Sequence, residues 1–65
     1  MNFQVIDDKR KAKRYTVTEL CDLAGIDRTS YYIYLKDPGK MRISIWEKLV
    51  KILEMTEAER RASLR

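Results

Sequence analysis

Thr29, Tyr32, Ile33 and Lys36 recur at the spacing that places side chains on one face of a helix, with Arg28 at its edge. Their chemistry is that of contact rather than catalysis. A guanidinium such as Arg28 can donate a bidentate pair to guanine N7 and O6. A phenol such as Tyr32 can reach a phosphate or base edge, and an aliphatic group such as Ile33 can meet a thymine methyl. The rival use of Tyr32 and Ile33 is an apolar protein contact. A second group, "KRKAKR" from Lys9 to Arg14, sets five cations in six residues. That is a footprint for polyphosphate or the solvated end of a helix.

Other chemistry is poorly served. The chain has one cysteine and no histidine, which excludes an internal disulfide, a Cys/His zinc site and imidazole catalysis. We expect no enzyme activity, cofactor, metal or small-molecule ligand. Cys21 lies among apolar residues and reads as a small core residue. No apolar run approaches the ~20 residues that span a bilayer, and the N-terminus lacks the apolar core of a signal peptide, so a cytoplasmic protein is expected.

Helices must position these groups. Thr16–Glu19, Ser44–Glu47 and Thr56–Glu59 each set a hydroxyl three residues before a glutamate, the pattern of a capping box. Asp27 adds a fourth start signal and Gly25 a stop. Ile45, Trp46, Leu49, Val50, Ile52 and Leu53 fill one arc of a helix, and Val17, Leu20, Cys21, Leu23 and Ala24 fill another. Phe3, Ile6 and the stem of Arg10 line a face near the N-terminus, while Ala58, Ala62 and Leu64 mark a weaker last helix. The expected architecture is one all-α domain over residues 1–65, a bundle of five short helices at about 2–13, 17–24, 28–36, 45–54 and 57–63. Within 28–36 the wheel turns Tyr31 and Tyr34 inward. At 65 residues, every apolar side chain must contribute to the core.

Only "AGID", Ala24–Asp27, separates the second and third helices. Two helices joined this tightly cross steeply, as in a helix-turn-helix. Here the chain resembles the lambda-repressor-like helix-turn-helix family, which includes phage Cro and CI repressors and small bacterial regulators. The resemblance covers roughly Lys9 to Thr56 and rests on "RKAKRYTVTELCDLAGIDRTSYYIYL" and "LVKILEMT". It implies a DNA-binding transcriptional regulator of Cro-like or repressor type. The helix at 28–36 would enter the major groove, on an approximately palindromic double-stranded operator, as a homodimer that forms in solution or only on DNA.

The resemblance also distributes roles. Arg28, Thr29, Tyr32 and Ile33 are expected at bases. Arg10, Arg14, Thr16, Thr18, Ser30, Lys36, Lys40, Arg42 and Ser44 are expected at phosphates, with Ser44 capping the fourth helix. The chain departs from the family at Val17, where Gln often touches phosphate, and at Leu35, where a Glu often pairs with the residue at position 10. Arg10 is left to another partner or to phosphate. Ile52, Met55, Ala58 and Leu64 are the expected dimer surface. The rival reading keeps the fold but uses Tyr32 and Ile33 to bind protein, as an antitoxin-like or antirepressor partner. A small RNA-binding module is a third.

Overall fold

Asn2 opens the first helix by accepting the Gln4 N–H on its side-chain oxygen at 3.1 Å. The structure, a computed structural model describing residues 1–65, then runs through α1 (Phe3–Ala12), α2 (Val17–Ala24), α3 (Arg28–Lys36), a 3-10 turn (Pro38–Lys40), α4 (Ile43–Ile52) and α5 (Glu57–Leu64). There is no strand, and no helix is long and apolar enough to cross a membrane.

Three connections share one backbone device. After α1, α2 and α4 the chain enters the left-handed region at Arg14 (φ 62°), Gly25 (φ 70°) and Glu54 (φ 53°). The next residue then donates its N–H back across the helix end. Tyr15 bonds the Arg10 carbonyl at 3.1 Å, Ile26 that of Cys21 at 3.0 Å, and Met55 that of Val50 at 3.0 Å. These bonds satisfy carbonyls that a helix terminus leaves unpaired. Each donor residue is apolar and turned toward the core, and each is followed by an N-cap: Thr16, Asp27 or Thr56.

Only Gly25 adopts its conformation without a side-chain penalty. Glu54→Gly is therefore expected to stabilise the protein by about 0.5–1 kcal/mol, net of the entropy that glycine adds to the unfolded chain. A thermal melt should show this as a rise of several degrees. An unchanged or lowered midpoint would refute it.

Two of the three anticipated capping boxes form. Thr16 Oγ1 accepts the Glu19 N–H at 3.0 Å while Glu19 accepts that of Thr16 at 3.2 Å. Thr56 and Glu59 do the same at 3.2 and 2.8 Å. The third does not form. Helix α4 starts one residue before Ser44, with Arg42 at the N-cap and no side-chain capping bond, so Ser44 sits inside the first turn and caps nothing. Asp27 holds the N-cap position of α3 but also makes no capping bond.

The core is built on the inner face of α4, where Trp46, Leu49 and Val50 are buried, with Leu53 buried at its C-cap. Leu20, Cys21 and Ala24 of α2 pack there, as do Phe3 and Ile6 of α1, Tyr31 of α3, and Met41 and Met55 from the connections. Cys21 is a core residue as expected, and burial pushes its thiol pKa up. Leu23 is not core. It stands about 100° from the centre of its helix's apolar arc and is 59% exposed, at the rim of a shallow groove against Ile52.

Helix α5 buries a residue that its apolar pattern does not mark. Its buried residue is Ser63, whereas Ala58 and Leu64 are exposed. The reason is polar. The buried Trp46 indole donates to Ser63 Oγ at 2.8 Å, and that hydroxyl donates to the Arg60 carbonyl at 2.7 Å. The Arg60 guanidinium lies 5.5 Å from the indole centroid. Met55, expected on a dimer surface, is buried, because the N–H that closes α4 draws its side chain inward. Lys9–Glu59 at 3.0 Å and Lys13–Glu54 at 3.8 Å bridge α1 to the other end of the chain.

Candidate nucleic-acid interface

Helix α3 is anchored by its tyrosines. The Tyr31 ring is fully buried and meets Phe3 edge-on, with centroids 4.9 Å apart. Tyr34 is only half-buried and reaches the same ring at 6.0 Å. Both point inward as the helical wheel requires. The Tyr31 hydroxyl donates to Asp7 at 2.7 Å, and the same Asp7 oxygen accepts from Arg10 Nε at 2.9 Å. Lys11 Nζ lies 3.4 Å from the other oxygen. Burial by itself would raise the Asp7 pKa. The bonds from Tyr31 and Arg10, with the positive charges of Arg10 and Lys11, outweigh it and hold the carboxyl below its usual value. Burial, then the Asp7 carboxylate, push the Tyr31 phenol well up.

With that side anchored, the opposite side faces outward. Arg28, Thr29 and Lys36 are exposed, Tyr32 is 54% and Ile33 42% exposed, and Ser30 is half-buried at the margin. The Tyr32 ring rests edge-on against Tyr31 at 6.0 Å, which steadies an otherwise solvated side chain. Lys40, Arg42 and Ser44 are exposed along the 3-10 turn and the start of α4. So is Ile43, which sequence reasoning missed because the Ser44–Glu47 pattern placed the helix start too late. Its wheel position adjoins that of the buried Val50, seven residues on, but at the first residue of α4 it stands exposed at the helix end.

Ion pairing separates the two basic groups that the sequence left equivalent. In the N-terminal run, Lys9, Arg10, Lys11 and Lys13 all pair with carboxylates, leaving only Arg14 unpaired. Arg10 is thereby corrected. It was expected at phosphate, but its guanidinium is largely enclosed between Asp7 and the Tyr15 carbonyl, to which it donates at 2.7 Å. Asp7 is the partner of Arg10.

Between Arg28 and Ser44, by contrast, Arg28, Lys36, Lys40 and Arg42 carry no ion pair, and Asp37 is the single acidic residue. Thr16 and Thr18 are exposed on α2, although the Thr16 hydroxyl is occupied by its cap. Helices α3 and α4, which have neither a side-chain cap nor an acidic residue in the first turn, also present N–H groups that an anion can satisfy.

No set of three or more His, Cys, Asp or Glu side chains converges in a metal-ligating arrangement. No family model, curated protein or solved structure matches the chain.

Proposed function

We propose that the chain is a small sequence-specific DNA-binding regulator of Cro-like or repressor type, working in the cytoplasm. Helix α3 lies in the major groove, and the 3-10 turn and the start of α4 lie on the adjoining backbone. One observation carries this reading: four exposed, unpaired cations, Arg28, Lys36, Lys40 and Arg42, surround the outward face of an α3 whose own tyrosines hold it to the core. Arg28, Thr29, Tyr32 and Ile33 read base edges. Lys36, Lys40, Arg42 and Ser44, with Arg14, Thr18 and Ser30, meet phosphates. The protein binds a near-palindromic site as a homodimer, with Ile52, Ala58 and Leu64 the residues left to make the subunit contact.

Selection from random duplexes followed by footprinting tests this directly, since it returns a site, its symmetry and its half-site spacing together. The selected complex should lose affinity steeply between low and moderate salt, as contacts to several phosphates require. Arg28→Ala should then cost about 1–3 kcal/mol on the selected site and relax one base position. Unchanged selectivity would remove Arg28 from the readout. A second reading draws on the exposure of the adjacent Tyr32 and Ile33: α3 would bind a protein through an apolar patch. Such binding responds little to salt, and no duplex would be enriched.

A further inference from the structure

Asp7 and Arg10 place charge in the interior of a fold small enough to need that volume for apolar packing. Asp7 is 6% exposed, yet a leucine there and a phenylalanine at position 31 would fill similar space without desolvating an ion pair. The bonds themselves suggest what the charges do. Arg10, on α1, donates from Nη1 to the Tyr15 carbonyl at 2.7 Å, immediately before the Thr16 cap that starts α2. Its Nε holds Asp7 at 2.9 Å, and Asp7 holds the hydroxyl of Tyr31, in the middle of α3, at 2.7 Å. One hydrogen-bonded chain thus ties the lead-in of α2 and the body of α3 to a single point on α1.

We propose that this chain, Tyr15 carbonyl to Arg10 to Asp7 to Tyr31, is a positioning device that fixes α2 and α3 relative to α1. It thereby sets the attitude of the outward face of α3. The aromatic contacts between α1 and α3 are permissive by comparison. The Phe3 ring touches Tyr31 and Tyr34 by edges, which slide at small cost, while a charge-assisted hydrogen bond weakens over a few tenths of an ångström. Asp27 makes no capping bond, so no side chain at the start of α3 fixes its direction. The consequence for readout rests on the DNA-binding function proposed above; the consequence for helix geometry does not.

Tyr31→Phe removes only the hydroxyl and leaves the Asp7–Arg10 pair in place, and Arg10→Lys keeps a cation for Asp7 while giving up the Tyr15 link. In the free proteins, amide residual dipolar couplings should report a changed orientation of residues 28–36 relative to residues 3–12. On DNA, the ratio of affinity for the selected site over random duplex should fall roughly tenfold, about the worth of one charge-assisted hydrogen bond. Random-duplex affinity should hold, whereas a merely unstable protein would lose both affinities together. Wild-type couplings and an unchanged ratio in either folded variant would overturn the proposal. If the wild-type chain binds no duplex at low salt, the DNA-binding reading fails by itself, and the couplings alone decide whether the chain of bonds positions α3.

Discussion

Tyr31→Ala is expected to leave most of the chain unfolded at room temperature. Tyr32→Ala, one residue away, should melt within about 0.5 kcal/mol of wild type. Tyr31 has no exposed surface and packs on Phe3 at 4.9 Å. Truncating a buried aromatic residue costs about 3–5 kcal/mol, and removing the hydroxyl leaves Asp7 short of a donor at a further ~1–3 kcal/mol. A protein of 65 residues has only about 3–10 kcal/mol in total. The loss is therefore comparable with everything that holds the fold together. Tyr34→Ala should fall between the two, at roughly 1–2 kcal/mol, because its ring is half-exposed and touches Phe3 only at 6.0 Å. Circular dichroism melts of the three variants make the test. A Tyr31→Ala protein melting near wild type would mean that α3 is held by something other than its inward tyrosines. If Tyr32→Ala melts normally and loses DNA affinity, the outward face is the binding face; a destabilised Tyr32→Ala would return that ring to the core.

The same contrast explains what could be read in the sequence. Helical spacing separates Tyr31 and Tyr34 from Tyr32 and Ile33 because three residues span nearly one turn, so the faces of α3 were legible without coordinates. The five helices were legible for the same reason, and Thr16 and Thr56 marked two starts correctly. Ser44–Glu47 has the same local pattern and fails. A capping box requires the hydroxyl residue to sit in extended backbone, and the turn through Met41 puts Arg42 there instead.

Arg14 and Glu54 were missed as helix stops because neither is glycine, although each, like Gly25, is followed by a core-facing residue and then an N-cap. Ser63 was missed as a buried residue because its partner, the indole of Trp46, lies 17 residues earlier. Asp7 was illegible for a similar reason: the hydroxyl that justifies its burial is 24 residues away. Local periodicity reports which way a helix can face, whereas polar partners brought together by folding decide which side chains it buries.

Arg10→Met isolates that last effect. Methionine keeps the stem that packs along α1 and deletes the guanidinium, leaving Asp7 enclosed with Tyr31 and Lys11 and the Tyr15 carbonyl without its donor. Breaking a buried pair from one side costs about 3–5 kcal/mol, so a severe loss of stability is expected at neutral pH. The pH dependence shows whether the charge is responsible. In wild type the Asp7 pKa is depressed on folding. Its contribution is therefore present above the unfolded carboxyl value of about 3.9 and is lost as pH falls through the lower folded value. In Arg10→Met the burial that opposes ionisation is no longer outweighed by the guanidinium. Protonating Asp7 then relieves a buried charge instead of breaking a pair. The stability gap between variant and wild type should narrow as pH is lowered through this range, in melts followed from neutral pH to about pH 3. A phosphate contact at Arg10 requires a different result: normal melting at every pH, weakened DNA binding, and a salt slope reduced by about one. That outcome would put Arg10 back on the outer surface and leave the low pKa of Asp7 to Tyr31 and Lys11, which burial opposes.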